Sequence, residues 1–498
     1  MLRKYGASLF SALVLAFVCT AFSANAQAQS GKTEAGPRVL ITQRIDETKL
    51  VTLEGNTRPD VLTGRDNGRV DDGMALDHML LQLRRSPEQE TAAAKLIEDL
   101  HNLKSPNYHQ WLTANEFGSR FGLADQDVRT ITAWLESHGF TVNVMYPGTM
   151  VIDFSGTAGQ IRATFNTEIH NVTVDGQEHI SNMSDPRIPA ALGPAVVGIF
   201  SLNDFRPKAM HETHKTSDFT FALNGFEELA MAPADLATIY NLNPLFTAGI
   251  TGQGQNVDVV EDTYVFSAAD WTTFRSTFGL SGFSSGSFDQ SSPNPATGNH
   301  NCASPHVNGD ADEAILDAEW SSAAAPDAAI HLIACENTKT TFGGLIAIQN
   351  VVNGSNPPDI ISMSYGKCEV ITGAAENAGF NTAFQVAVAE GVSVFVSSGD
   401  DSAAGCDRGS LLAVGGVNIS GWASSPNDVA VGGTDFGDTF LGTNSTYWSA
   451  TNSSTFGSAL SYVPEIPWNN TCASALISEI VTGSPVTYGM NGFCNTPI

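Results

Sequence analysis

The run Val394-Phe395-Val396-Ser397-Ser398-Gly399-Asp400 follows a helical stretch, Ala374 to Ala389, that closes near Gly391. Apolar β-branched and aromatic residues in an unbroken run read as a strand buried on both faces, and such strands belong to parallel sheets covered by helices. The run ends in Gly-Asp, which delivers a polar side chain to the loop beyond the strand's carboxyl end, where open α/β sheets bind their ligands. Nearer the amino terminus, Asn256 to Val260, Ala329 to Ala334 and Asp359 to Ser364 carry the same strand signature. A helix with an acidic face lies between the first two. Strands alternating with helices predict an α/β architecture with a parallel sheet for this half of the chain.

That helix is Asp312-Glu313-Ala314-Ile315-Leu316-Asp317-Ala318-Glu319-Trp320. Positions i and i+4 share a helical face with Cβ atoms roughly 5 to 6 Å apart, so Glu313 and Asp317 are close enough to share a hydrogen bond. Two acids at this spacing normally belong to a solvated face and repel. The alternative is a coupled pair that holds one proton between them and serves as a general base. Trp320 sits one turn from Asp317, and core packing is the commoner fate of such a residue.

The chain has 498 residues, too many for one core, which predicts two or three domains. Its formal charge of -28 excludes the basic footprint that nucleic-acid binding requires. From Leu236 onward the cationic side chains are Arg275, Lys339, Lys367 and Arg408 alone. A module so acidic repels itself at neutral pH and relaxes as its carboxylates protonate, which fits work in acid. The start of the chain, basic at Arg3 and Lys4, apolar from Leu9 to Phe22 and small at Ala24-Asn25-Ala26, has the layout of a secretory signal cleaved after Ala26. The apolar run is short of the roughly 20 residues that a spanning helix needs. The expectation is therefore a secreted chain with no membrane span after cleavage. Cys302, Cys335, Cys368, Cys406, Cys472 and Cys494 would remain, an even set that predicts disulfides without choosing among the possible pairings.

Residues 38–205 mix amphipathic helices (Ala92 to Leu103, Asp125 to His138) with short strands (Thr141 to Met145, Met150 to Phe154), and read as an α+β domain. Residues 206–232 have linker composition and are the expected processing region. Residues 233–498 form the α/β part. Histidines concentrate in the first half, and protonation of these residues is one expected lever on the pro-region's grip.

With these residues in view, the chain resembles the sedolisins, or serine-carboxyl peptidases, in the kumamolisin-like form that carries an activation domain. The first half matches through Ser105-Pro106-Asn107-Tyr108-His109-Gln110-Trp111-Leu112-Thr113, His138-Gly139-Phe140, Phe154-Ser155-Gly156-Thr157-Ala158 and Ala163-Thr164-Phe165-Asn166-Thr167. In the second half the similarity runs through Pro233-Ala234-Asp235-Leu236, Gly249 to Gln255, the Glu313 helix, Ser362-Met363-Ser364-Tyr365-Gly366, Ser398-Gly399-Asp400 and Ala430-Val431-Gly432-Gly433-Thr434. The resemblance implies a subtilisin-like parallel-sheet domain preceded by a ferredoxin-like activation domain. It also implies proteolysis in acid, protein or peptide substrates, and the chain's own prodomain as intramolecular inhibitor. By motif Glu313 takes the general-base role, Asp317 orients it, and Asp400 takes the oxyanion role. Only a neutral Asp400 carries an O–H to donate to an oxyanion, so low pH suits both tasks.

The departure lies at the carboxyl end. The resemblance calls for a nucleophilic serine in a Gly-Thr-Ser segment followed by a calcium loop. Asp401 to Ile498 contains no Gly-Thr-Ser; Gly442-Thr443-Asn444-Ser445 and Thr482-Gly483-Ser484-Pro485 read as turns. The peptidase domain is thus expected to lack its C-terminal part, the nucleophile and the segment expected to hold Ca2+, and to be inactive by itself. A non-catalytic secreted peptide-binding or inhibitory protein is the alternative from another class. A glycosidase fits less well, because its two carboxyls flank a sugar from opposite sides.

Overall fold

In the computed structural model, residues 36–210, 221–223, 226–228, 231–407, 413–469 and 475–486 are described. The expected signal segment, Cys472, Cys494, Arg408 and much of the expected linker lie outside them. Among the described residues no helix is long and apolar enough to cross a membrane.

The first half builds a four-stranded sheet from β1 (Ala75–Leu83), β2 (Thr141–Met145), β3 (Val151–Thr157) and β4 (Val196–Ile199). Their order is β2-β3-β1-β4, antiparallel throughout. Helices α1 (Pro87–His101), α2 (Ala114–Phe121) and α3 (Asp125–Ser137) connect β1 to β2, and α4 (Ala158–Phe165) follows β3. The helix starts are written in the sequence. Thr113 and Glu116 form a capping box on α2, and Thr157 with Gln160 does the same on α4. One face of the sheet closes a core of its own, with Met79, Ile131, Leu135, Phe154, Ile161 and Phe165 at its centre.

After β5 (Lys208–Ala209) the second half builds the parallel sheet. Its strands are β6 (Asn256–Glu261), β7 (Ser287–Ser291), β8 (Ala329–Ala334), β9 (Ile360–Met363), β11 (Ser393–Ser397) and β12 (Val429–Val431). The short β10 (Tyr365–Gly366) follows β9 and lies outside this sheet. The order is β7-β8-β6-β9-β11-β12, with every pair parallel. Helices α5 (Ala311–Ala324), α6 (Gly343–Val352) and α7 (Ala374–Ala389) cross between strands. The chain leaves β6 toward β7 and β8, then returns to place β9 on the other side. That reversal opens a crevice at the carboxyl ends of β6 and β9.

Helix α7 joins the two halves. Phe380 and Phe384 are buried in one apolar cluster with Leu80, Phe117, Val144 and Phe200 from the first half. At Gly379 the helix comes so close to Phe200 that an added Cβ would meet the ring at 2.8 Å. The first half also satisfies the end of α7, where helix carbonyls lack intrahelical partners: Leu112 N–H donates to Ala389 O at 2.9 Å. Ala114 N–H, at the start of α2, donates to Glu390 Oε1 at 2.9 Å. Beside this apolar seam runs a polar one. Buried Asp153 accepts from Asn143 and from Asn301 of the second half, both at 2.8 Å, and faces His78 Nδ1 at 3.1 Å. Thr341 Oγ1 donates to His78 O at 2.7 Å.

Two predictions follow from this seam. Phe384→Ala should cost about 3 to 5 kcal/mol, read as a lower urea midpoint. Burial pushes the Glu390 carboxyl up to about 8, partly offset by the Ala114 N–H. Docking over Glu390 therefore takes up a proton and tightens as pH falls from about 8 towards the ordinary carboxylate range. Glu390→Gln should abolish this component, seen by hydrogen exchange of α2 as equal protection at pH 5 and pH 8.

Candidate active site

Helix α5 forms because alanines supply propensity while Asp312 and Glu313 place negative charge on its first turn. Ala311, Ala314, Ala318 and Ser322 are buried along one stripe. Glu313 is buried beside that stripe, 1% exposed, and Asp317 is half-buried one turn later. The solvated-face reading of this pair therefore fails for Glu313. Asp317 Oδ1 accepts from Ser364 Oγ at 2.9 Å, and Ser364 is the residue between β9 and β10.

A third carboxylate joins them. Glu261, the last residue of β6, is fully buried. Burial raises its carboxyl far above the ordinary range, the Asp317 charge adds to that, a bond from Tyr365 pulls it back, and Glu313 and Asp262 push the same way as Asp317. Tyr365 OH donates to Glu261 Oε2 at 2.8 Å and lies 3.4 Å from Asp262 Oδ1. Glu261 Oε1 is buried and has no hydrogen-bond partner among the described residues. Asp262 is held in turn by Asn337 Nδ2 at 2.6 Å and Asn308 Nδ2 at 3.0 Å. The Tyr365 phenol is itself pushed far upward by burial and by Glu261, Asp262 and Asp310, so it stays a donor.

Asp400 lies three residues past β11, half-buried. The carboxyl ends of β6 and β11 are two strand spacings apart, about 10 Å, with β9 between them. Glu313 and Asp317 lie at the carboxyl ends of β6 and β9, and Asp400 follows the carboxyl end of β11 in the same parallel sheet. Cys368–Cys406 ties the segment after β10 to the loop after Asp400, and Cys302–Cys335 ties the approach to α5 to the end of β8. Closing loops of 38 and 33 residues contributes roughly 4 kcal/mol each in the chain-entropy picture. Among the described residues no group of three or more His, Cys, Asp or Glu is gathered to hold a metal ion.

The crevice is not open. Strand β5 pairs antiparallel with β10, Lys208 opposite Gly366 and Ala209 opposite Tyr365. Met210 N–H then donates to Ser364 O at 2.7 Å. The segment leaving the first half is laid as an added strand beside the residue that Asp317 holds.

Residues 64–205 match the family model for the pro-kumamolisin activation domain. Kumamolisin of Bacillus sp. (strain MN-32) is 27% identical over 78% of this chain and 67% of its own length. The chain is similar to kumamolisin-like precursors of the sedolisin family. Sedolisin of Pseudomonas sp. (strain 101) is 25% identical over 75% of this chain and 62% of its own length, and xanthomonalisin of Xanthomonas sp. (strain T-22) 28% over 80% and 50%. These matches span between half and two thirds of the relatives' lengths. The solved structure of Pseudomonas sedolisin (serine-carboxyl proteinase), complexed with two molecules of pseudo-iodotyrostatin, aligns at a TM-score of 0.36 with 21% identity over 48% of this chain and 59% of that one. A superposition that loose carries no weight, and the fold of this chain stands on the strand order above.

Beside the two helix acids the structure places Glu261, Ser364 and Tyr365, which sequence reading did not assign to the site. A signal for Glu261 was present, since an acid closing the apolar run Val257 to Val260 falls at a strand's carboxyl end. Its raised pKa fixes a sign. A carboxyl that is neutral when folded and ionised when unfolded adds stability that is complete below about pH 4.5 and is lost as pH rises. Each unit of elevation is about 1.4 kcal/mol. Glu261→Gln should therefore raise the thermal midpoint at pH 7 by at least about 2 °C and leave it unchanged at pH 4, by calorimetry across pH.

Proposed function

We propose that this chain is the secreted precursor of an acid-acting serine-type endopeptidase. In this reading Glu313 is the general base, Asp317 orients it, and Asp400, when neutral, donates to the oxyanion. The observation that carries the reading is the cluster of Glu313, Asp317 and Glu261 at the crevice where β10 already holds an extended peptide. A carboxylate coupled to others can accept a serine proton in acid, where an imidazole would already be charged. Work in acid is further supported by Glu261, whose elevation makes the fold more stable as pH falls. The first half acts as the inhibitory prodomain, with β5 lying where a substrate strand would add to β10. Its strand order, read as β-α-β-β-α-β with order β2-β3-β1-β4, supports a ferredoxin-like prodomain. The parallel sheet with helices crossing between its strands supports a subtilisin-like peptidase domain.

The 498 residues contain no Gly-Thr-Ser after Asp400, and that favours a second reading of this chain alone, as a binder that keeps the cleft without turnover. Removing a nucleophile leaves only binding and oxyanion stabilisation. Incubated at pH 3 to 5 with a peptide library, the purified chain should release no products by mass spectrometry. Nucleophile-dependent cleavage would show that another residue supplies the attack.

A further inference from the structure

We infer that the second half carries a built recognition site for a strand end of the form Tyr-x-Gly, made by Asn301, Asn350 and Asn353, and that Tyr146 and Gly148 at the end of β2 are its occupants. The site shares no residue with the carboxylate cluster of the crevice, so the inference stands whether or not the chain cleaves peptides. Tyr146 follows β2 directly, and its ring lies in the apolar cluster that joins the halves. Its hydroxyl is held from two sides: Asn301 Nδ2 donates to it at 2.8 Å, and it donates to Asn350 Oδ1 at 3.1 Å. The two asparagines also fix each other, since Asn350 Nδ2 donates to Asn301 Oδ1 and to Pro293 O, both at 2.8 Å. Two residues beyond Tyr146, Gly148 N–H donates to Asn353 Oδ1 at 2.8 Å, and Asn353 is steadied by its own Nδ2 bond to Gln349 O at 2.9 Å. All three asparagines are at most 3% exposed.

The segment leading to Asn301 lies along the free edge of β2. Thr297 Oγ1 donates to Met145 O and Asn299 N–H to Asn143 O, both at 2.9 Å. Gly298 between them has a φ of 87°, and a Cβ there would stand 2.4 Å from Asn143 O, so the two backbones meet at a glycine. The Cys302–Cys335 disulfide ties the end of this arm to the end of β8. Bonds to the backbone carbonyls of Asn143 and Met145 accept any extended strand, so the choice of residue falls to the asparagines. A buried amide that loses its partner costs more than the bond was worth, and a site of this kind rejects phenylalanine, which fills the same volume without the hydroxyl. Burial holds the Tyr146 phenol well above its ordinary pKa, the Asp153 charge adds to that and Asn301 offsets part of it, so the hydroxyl remains a donor. At Gly148 the choice is made by space. A Cβ would stand 2.9 Å from Asn353 Oδ1 and 3.1 Å from Val386 Cγ2, a clash that Asn353 relieves only by giving up its bond to this residue.

The test uses the full chain with the variants Tyr146→Phe, Gly148→Ala and Tyr146→Ala, read by amide exchange and mass spectrometry over residues 141–149 and 343–353. Tyr146→Phe and Gly148→Ala should each exchange at least about tenfold faster than wild type in both segments, while residues 128–135, inside the first half's own core, stay within about twofold. Tyr146→Ala is then titrated with p-cresol and with toluene. The phenol should recover about tenfold in protection and the hydrocarbon no more than about twofold. Tyr146→Phe exchanging like wild type overturns the inference, and so does acceleration of 128–135 by the same factor, which would mark a general loss of fold. Rescue by toluene equal to that by p-cresol shows that only space is being filled and overturns it as well. Should Tyr146→Ala fail to fold, Tyr146→Phe, which keeps the ring, decides alone.

Discussion

Glu261 is buried at the end of β6 within reach of the Asp317 and Glu313 charges, and that repulsion constrains the rest. Two unit charges 4 Å apart near a protein surface cost about 4 kcal/mol, and more where solvent is absent. Burial and this repulsion together favour the neutral form of Glu261. Tyr365 gives Glu261 a donor on one oxygen, Ser364 gives Asp317 a donor, and Asp262 is drawn off by two asparagines. The sheet's change of direction at β6 and β9 makes room for this arrangement. Glu261 closes β6 and Tyr365 opens β10, while Glu313 and Asp317 sit on the first two turns of α5, where the backbone is rigid.

Much of this fold could be read without coordinates, for stated reasons. Ala329 to Ala334, Thr141 to Met145 and Ala374 to Ala389 were read with the bounds they have, because each is a strong local pattern closed by a turn residue or glycine. Helix α6 escaped because nine of its ten residues are buried, so no polar face marks a helical period. Strand β7 escaped for the opposite reason: Ser287–Ser291 is a polar edge with one aromatic, and only pairing with β8 makes it a strand. In the site, the Glu313–Asp317 pair was legible because helical spacing alone brings it together. Glu261 meets it only through the packing of α5 on β6, a contact between residues some fifty positions apart that no local pattern encodes.

The seam between the halves is held by two kinds of contact. Apolar packing on α7 gives most of the adhesion, since Phe380 and Phe384 belong as much to the first half's sheet as to the second half's core. The polar seam sets register: Asp153 needs donors from both halves, and a shifted interface would strand a buried carboxylate. Adhesion from α7 and register from Asp153 together lay β5 against β10 at the right depth, so a short two-residue strand pairing is enough at the crevice itself.

The response of this seam to acid is set by signs rather than by the mere presence of histidine. Burial lowers the His78 pKa, but the bond and charge of Asp153 outweigh it and leave it raised. A raised histidine stabilises the folded form below its unfolded pKa and loses that contribution as pH rises through the folded value. Glu390, neutral beneath the docked α2, likewise favours the docked form as pH falls, and Glu261 does the same for the fold as a whole. All three groups strengthen the assembled chain in acid. Protonation of His78 therefore works against loosening this seam.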